Sequence, residues 1–311
     1  MAALPAFVAP MLAKLRKQPF DSDAHLFEPK WDGFRAITFV EEGGHRVRSR
    51  RDRDLAPRFP EVEAVRVFPA GTVLDGEIVV LEDGRPDFES MLRREQAREL
   101  RSIERFVREL PASYVVFDLL YVDGRPILDE PLTTRRRLLA ALFEGLGDGA
   151  DHRLLLSEGS VGGGVELYER SVELGMEGVV GKRLDSPYLP GQRTDLWTKV
   201  KVPLHRHCVV LGYLRNEAGD LRSLVVGTDV EGELRCVGRV GSGLSEGDRR
   251  ALLPRLRGLR REEPVVDCSS ALDGNPEWVE PGIFCTVSFL EFTSGGTLRA
   301  PVFEGLVEDG E

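Results

Sequence analysis

Only six of the 42 basic residues in this 311-residue chain are lysines: Lys14, Lys17, Lys30, Lys182, Lys199 and Lys201. Arginine serves wherever a permanent cation suffices, because a guanidinium does not give up its proton to become a nucleophile. The stretch Glu28-Pro29-Lys30-Trp31-Asp32-Gly33-Phe34-Arg35 therefore reads as chemistry. It sets an amine that can turn neutral beside a carboxylate that can orient it or act as a base. Gly33 allows the backbone to turn tightly or approach a ligand, and Arg35 can grip a phosphate or a sugar. A lysine amine attacks phosphorus only when uncharged, so its site must disfavour the ammonium by burial or by nearby cations. Lys199 and Lys201 alternate within Trp197-Thr198-Lys199-Val200-Lys201, so a strand would present both on one face. Lys14 and Lys17 read as solvated surface charge.

Other candidate groups carry less. The four cysteines, Cys208, Cys236, Cys268 and Cys285, are far apart with no CxxC pair, which argues against zinc and fits a reducing compartment. His205 and His207 would share a strand face, but no third ligand lies near them in sequence, so packing or solvent contact is the better reading. The formal net charge of −10 opposes long-range attraction to nucleic acid, yet local binding depends on where the positive charge lies. RVRSRRDR (46–53) is a candidate basic face, whereas the arginines of 93–110 and 133–139 read as solvated surfaces of amphipathic helices.

The elements that must position these groups follow from periodicity. Ala36–Val40 and Arg46–Ser49 form a hairpin around Glu42-Gly43-Gly44, and Thr72–Leu81 and Ser113–Leu120 are apolar enough for central strands. Helices are predicted over Arg93–Glu109, Thr133–Phe143 and Val165–Leu174, and strands over Gly178–Lys182 and Trp197–Val202. After Val202-Pro203 the texture changes to short strands at Cys208–Leu214, Arg222–Thr228, Gly232–Val240 and Ile283–Thr293, with one helix at Glu246–Leu256. About 100 residues of this kind suit a small barrel of the oligonucleotide-binding type. The expected organisation is thus α+β, with one domain over 1–203 built on antiparallel and mixed sheets and a β-barrel over 204–311. The N-terminus sets its apolar residues before its basic ones, the reverse of a secretory signal, and no apolar run approaches the roughly 20 residues of a spanning helix. A cytoplasmic, monomeric protein without membrane contact is expected.

Several stretches in order resemble the motifs of the covalent nucleotidyltransferases, the superfamily of ATP-dependent DNA ligases, RNA ligases and mRNA capping enzymes. EPKWDGFR (28–35) resembles motif I, and Ser49-Arg50-Arg51-Asp52 resembles motif Ia. Leu74-Asp75-Gly76-Glu77-Ile78 is similar to motif III, and Val116-Phe117-Asp118-Leu119-Leu120 to motif IIIa. Glu177-Gly178-Val179-Val180-Gly181-Lys182 is similar to motif IV, and Trp197–Lys201 to motif V. The C-terminal stretches VVLGYLR (209–215), CVGRVGSGLSEGD (236–248) and FLEFTSGGTLRAPVFEGL (289–306) resemble the barrel of bacterial end-joining ATP-dependent DNA ligases.

The resemblance implies an adenylation domain followed by an OB-fold and a DNA ligase that seals 5′-phosphate to 3′-hydroxyl. ATP would load AMP covalently on Lys30, with Mg²⁺ or Mn²⁺ as the divalent cation. It further implies Glu28 beside the adenine edge, Phe117 stacked on the base, and Glu77 and Arg35 toward the ribose. Lys199 and Lys201 would face the α-phosphate, reinforced by Lys182, with Arg193 as another nucleotide contact. Asp32 would assist the final attack, Glu177 with Glu77 would hold the metal, and Arg50 would meet a 5′-phosphate or AMP. The RxDK form of motif VI is absent, and Leu298-Arg299-Ala300-Pro301 stands in its place, making Arg299 the candidate for orienting pyrophosphate. The implied partners are a DNA nick or double-strand break, a DNA-end-binding protein such as Ku, and a repair polymerase. RNA or mixed-strand ligation, capping-type transfer, or an idle nucleic-acid-binding module are the alternatives.

Overall fold

The structure, a computed structural model, describes residues 3–147, 151–230, 232–269, 275–293 and 295–307. The chain divides into two compact units, one ending at Val202 and one beginning at Pro203. In chain order the first unit opens with β1 (Leu12–Leu15), β2 (Ser22–Pro29), β3 (Phe34–Glu41) and β4 (Gly44–Ser49). A 3₁₀ segment, Pro60–Val67, leads to β5 (Val73–Glu82), β6 (Arg85–Pro86), α1 (Phe88–Gln96) and α2 (Leu100–Glu109). Then come β7 (Ala112–Val122), β8 (Arg125–Pro126), α3 (Leu132–Glu144), β9 (Leu154–Leu156) and β10 (Ser160–Gly162). The unit closes with α4 (Gly164–Glu173), β11 (Gly178–Arg183) and β12 (Arg193–Lys201).

Two sheets result. One has the order β1-β12-β11-β2-β10, and the other runs β4-β3-β5-β7-β8 with β6 beside β5 and β9 beside β7. Strand β7, ASYVVFDLLYV, is buried along nearly its whole length, as a central strand covered on both faces must be. Its side chains alternate between two cores. Tyr114 and Val116 join Leu74, Ile78 and the apolar face of the 3₁₀ segment, whereas Phe117 joins Ile37, Phe39 and Val73. That second cluster also takes in Trp197 from β12 and Met11 from ahead of β1, so the two sheets face one another across it.

Some sequence expectations change. The single helix foreseen over 93–109 is two: Asp87 caps α1 by accepting from the backbone N–H of Glu89 and Ser90, and α1 stops where Ala97 turns extended. The arginine-rich helices are not wholly solvated either. Arg94 forks onto Glu61 at 2.7 and 2.9 Å, and Arg135 onto Asp118 at 2.8 and 3.0 Å, with all four side chains buried. In RVRSRRDR, Arg46 is tied to Glu41 and the carbonyls of Pro5 and Ala6, and Arg53 to Glu95. Arg46 is thus tied to the chain's N-terminal segment, whereas Arg53 stays largely exposed beside its partner.

The second unit continues with β13 (Leu204–Arg215), β14 (Leu221–Val230), β15 (Glu233–Val240), α5 (Glu246–Gly258), β16 (Arg260–Arg261), β17 (Glu277–Val279), β18 (Phe284–Phe289) and β19 (Val302–Leu306). The long β13 pairs with β14, β17 and β18 in turn, so one strand serves the whole OB-type sheet. Ser245 and Asp248 cap α5 reciprocally at its N-terminus. The fold brings Cys236 and Cys268 together as a disulfide, Cα–Cα 5.3 Å, a pairing that their spacing did not reveal and that runs against the reduced cysteines expected from the sequence. Cys208 and Cys285 stay free, buried and opposite each other on β13 and β18.

Replacing Arg135 by methionine leaves the Asp118 carboxylate buried without its partner, and the expected loss of stability is about 3–5 kcal/mol. Adding Asp118→Leu should recover part of it, since the stranded charge is gone. Denaturant midpoints of wild type, single and double variants decide the matter, and a loss within experimental error for Arg135→Met would refute the assignment.

Candidate active site

The site forms where the two sheets meet. Glu28 on β2, Val180 on β11 and Lys199 on β12 are direct cross-strand partners, so they share a face, with Lys182 and Lys201 two residues further along on the same side. Arg35 lies opposite Glu77 on the facing sheet, and Phe117 projects from β7 toward the same space. Between them is a cavity of about 190 Å³ lined by Glu28, Lys30, Arg35, Arg50, Glu77, Phe117, Lys182, Arg193 and Lys199, together with Trp31, Ser157 and Trp197. The Lys30 backbone N–H donates to the Gly178 carbonyl at 2.8 Å, which anchors the end of β2 against β11 and sets the amine at the cavity wall. Two motif glycines are required by close packing. A Cβ on Gly33 would sit 2.1 Å from the Ile78 carbonyl oxygen, and Gly178, at φ +140°, would meet the Val200 oxygen at 2.0 Å.

Charge is arranged in shared pairs. Glu177 contacts the Lys30 amine with one oxygen and Lys201 Nζ with the other at 2.8 Å. Arg35 lies bidentate on Asp75 at 2.5 and 2.6 Å, and Asp75 also accepts from the Tyr188 hydroxyl at 2.6 Å. Burial, followed by the neighbouring Glu177 charge, pushes the Asp32 carboxyl up to about 6, within reach of general-base work near neutrality. Burial likewise raises Glu77 to about 7, against the pull of Arg35 and Lys30. With its carboxyl raised toward neutrality, Glu77 can donate to a sugar hydroxyl when protonated and accept from it when ionised. Glu177 is held below the usual carboxylate range by Lys30 and Lys201 in spite of its burial. Lys199 is pushed down to about 8 by burial and then by Lys30 and Lys201.

Among the described residues no three His, Cys, Asp or Glu side chains gather into a metal cage. Asp32 and Glu177, however, lie close enough for the Glu177 charge to raise the Asp32 carboxyl. Two adjacent carboxylates of this kind fit a divalent cation such as Mg²⁺, which takes one or two protein carboxylates and completes its shell with water and substrate phosphate.

Nine of the residues singled out in the sequence therefore line one cavity, and Asp32, Glu177 and Lys201 join it through the Glu177 carboxylate. Arg193 donates to the Ala13 carbonyl from the cavity rim. Phe117 is only 7% exposed, with the Arg35 and Lys182 cations 4.5 and 4.2 Å from its ring centre. Arg299 belongs to the second unit, exposed and paired with Glu291. Sequence reasoning missed Asp75, Tyr188 and Arg136. Asp75 lies within a quoted motif and could have been suspected as the partner of Arg35. Nothing in the sequence marked Tyr188, or distinguished Arg136 from its neighbours.

A lysine amine, a base-sized cavity and flanking cations, on facing sheets and followed by an OB-type unit, define the class of covalent nucleotidyltransferases. Residues 10–201 match the family profile of the ATP dependent DNA ligase domain, and residues 217–310 that of the ATP dependent DNA ligase C terminal region. The chain belongs to the ATP-dependent DNA ligases, enzymes that join DNA using ATP. It is 35% identical over 98% of its length to the multifunctional non-homologous end joining protein LigD of Pseudomonas aeruginosa, covering 36% of that protein. It is also 35% identical to DNA ligase C1 of Mycolicibacterium smegmatis, over 91% of this chain and 83% of the relative. The chain thus spans between a third and two fifths of the LigD proteins it matches. Among solved structures, a mycobacterial DNA ligase D complexed with ATP and MES aligns at TM-score 0.57 and 32% identity, over 98% of this chain and 96% of that one.

The Lys199 value of about 8 has a consequence for nucleotide binding. Lys199 is cationic below that pH and loses its charge as pH rises through it, so affinity for a triphosphate should fall between pH 7 and 9. Lys199→Arg, whose charge persists, should flatten this dependence. Equilibrium titration of protein that keeps Lys30, with an α,β-methylene analogue of ATP from which no covalent product forms, measures it. An unchanged slope in the arginine variant would rule Lys199 out as the titrating group.

Proposed function

We propose that this chain seals DNA breaks carrying a 5′-phosphate and a 3′-hydroxyl through a lysyl-AMP intermediate on Lys30, and that it does so in end-joining repair in the cytoplasm. The observation that carries the reading is the Lys30 amine at the wall of a base-sized cavity, held by a carboxylate that also holds Lys201. In the first step the neutral amine attacks the α-phosphorus of ATP. A P–N bond forms, the bond to the bridging oxygen breaks, and pyrophosphate leaves. Lys199 and Lys201 balance the charge that grows on the α-phosphate oxygens.

In the second step a 5′-phosphate oxygen of the DNA displaces the lysine, regenerating the amine and leaving an AMP–DNA anhydride. In the third the 3′-hydroxyl attacks the 5′-phosphorus, its proton passes to Asp32, and AMP departs with the bonding electrons. The cavity would seat the base against Phe117 and the ribose against Glu77 and Arg35, while Arg50 and Arg193 meet phosphate at the rim. Arg299, from the second unit, would orient the departing pyrophosphate. Glu177, with Asp32 or Glu77, would hold a divalent cation that neutralises phosphate charge. A nick or double-strand break is the substrate, with a DNA-end-binding protein such as Ku and a repair polymerase as partners; the end joining named for the LigD relatives supports the end-joining role. Among the described residues no helix is long and apolar enough to cross a membrane.

The test is covalent labelling that survives denaturation and alkali but is lost in hot acid, as a P–N bond should be. Wild-type protein, first stripped with pyrophosphate, should take up label from α-labelled ATP with Mg²⁺ and pass it to nicked DNA but not nicked RNA, whereas Lys30→Ala takes up none. Label retained by Lys30→Ala would place the nucleophile elsewhere. Preference for GTP, or for nicked RNA, would favour capping-type transfer or RNA ligation.

A further inference from the structure

The floor of the cavity holds polar groups with hydrogen-bonding capacity left over. Glu28 and Lys182 are 2% and 3% exposed and in contact with each other, and both line the cavity. Yet neither Glu28 oxygen nor Lys182 Nζ completes a well-angled hydrogen bond among the described residues. An accepting carboxylate beside a donating ammonium suits the edge of a purine, where a donor and an acceptor lie side by side. Adenine and guanine carry the two in opposite order, so discrimination depends on which protein group stands where.

The side chain that fixes Glu28 is Arg136 on α3. Its guanidinium lies 3.2 Å from Glu28 Oε1, while Nη1 donates to the Phe117 carbonyl at 3.1 Å and Nη2 to the Ser157 carbonyl at 2.6 Å. Ser157 in turn accepts from the Trp31 indole N–H at 3.1 Å, next to Lys30. One planar fork thus joins three segments of the cavity wall: the strand ending in the nucleophile, the strand bearing Phe117, and the segment at Ser157. Lysine cannot reproduce this, having one point charge in place of a rigid fan of donors.

We propose that Arg136 is a positioning residue for base selection. It occupies Glu28 Oε1, keeps Oε2 against Lys182, and so sets the order of acceptor and donor that the base meets. The inference rests on the nucleotide reading of this cavity proposed above. It concerns a residue that touches neither the reacting phosphorus nor the amine.

Single-turnover formation of lysyl-AMP or lysyl-GMP, followed against ATP and GTP concentration, tests it in wild type, Arg136→Met and Arg136→Lys. In Arg136→Met the half-saturating ATP concentration should rise, and the ATP-over-GTP preference fall, by about tenfold or more, because buried Glu28 loses the cation that holds its Oε1. The rate at saturating ATP should stay within about threefold, because the transition-state contacts remain. Arg136→Lys, which keeps the charge beside Glu28, should recover part of the affinity. Unchanged preference and half-saturation in Arg136→Met would overturn the proposal. So would a lower melting temperature and saturating rate with the preference intact, since that pattern marks a purely structural role. If Arg136→Met does not fold, Arg136→Lys decides by the same two quantities. Failure of the wild type to form any lysyl-nucleotide would instead sink the nucleotide reading itself.

Discussion

Cations crowd the cleft of this protein out of bulk water, and they are balanced there by three carboxylates that each serve more than one polar partner. Glu177 lies between Lys30 and Lys201, Glu28 between Lys182 and Arg136, and Asp75 between Arg35 and the Tyr188 hydroxyl. An unpaired buried charge would cost several kcal/mol, and the sharing avoids it at each point. The arrangement is compact because the strands bring it about. Cross-strand register puts Glu28, Val180 and Lys199 in a row on one sheet, and sheet-on-sheet packing sets that row against Glu77 and Phe117 of the other.

The same packing explains why the chain spends lysines only where it does. Arg94, Arg135 and Arg35 take the positions where a fixed, forked cation meets a carboxylate bidentately. Four of the six lysines take the positions at the cavity wall and around Glu177, where a compact ammonium fits. Lys199 is brought down to about 8 by burial and by the neighbouring ammonium groups.

Much of the site was legible in the sequence because its residues come in short runs with characteristic chemistry. Lys30, Glu77, Phe117, Lys182 and Lys199 were all found that way, and all line the cavity. What escaped reading depends on three-dimensional neighbours. Arg135, Arg136 and Arg137 are consecutive, yet the first is buried on Asp118, the second reaches the cavity wall and the third is exposed. Helical periodicity separates them by about 100° each but does not say which direction leads to a carboxylate. The break between α1 and α2 was missed because arginines and glutamates continue through it, and only the Asp87 cap and the extended Ala97 mark the boundaries. Likewise Cys236 and Cys268 stand 32 residues apart, and strand pairing rather than spacing brings them within reach.

A triphosphate entering this cleft would change its electrostatics by bringing negative charge of its own. Lys30, Lys199 and Lys201 could then be balanced by phosphate in place of Glu177, and the carboxylate pair it forms with Asp32 would be freed for a divalent cation. On the proposed roles of these residues, nucleotide and cation binding would be linked, each favouring the other by taking over one side of the same ion pair. The linkage also loosens the amine from its carboxylate as the α-phosphate arrives, when a nucleophile at position 30 is needed. A chain that held Lys30 without a counter-charge would bind the nucleotide against no competition, but it would have to bury an unbalanced cluster of cations while empty. Sharing Glu177 reconciles a stable empty cleft with a reactive filled one.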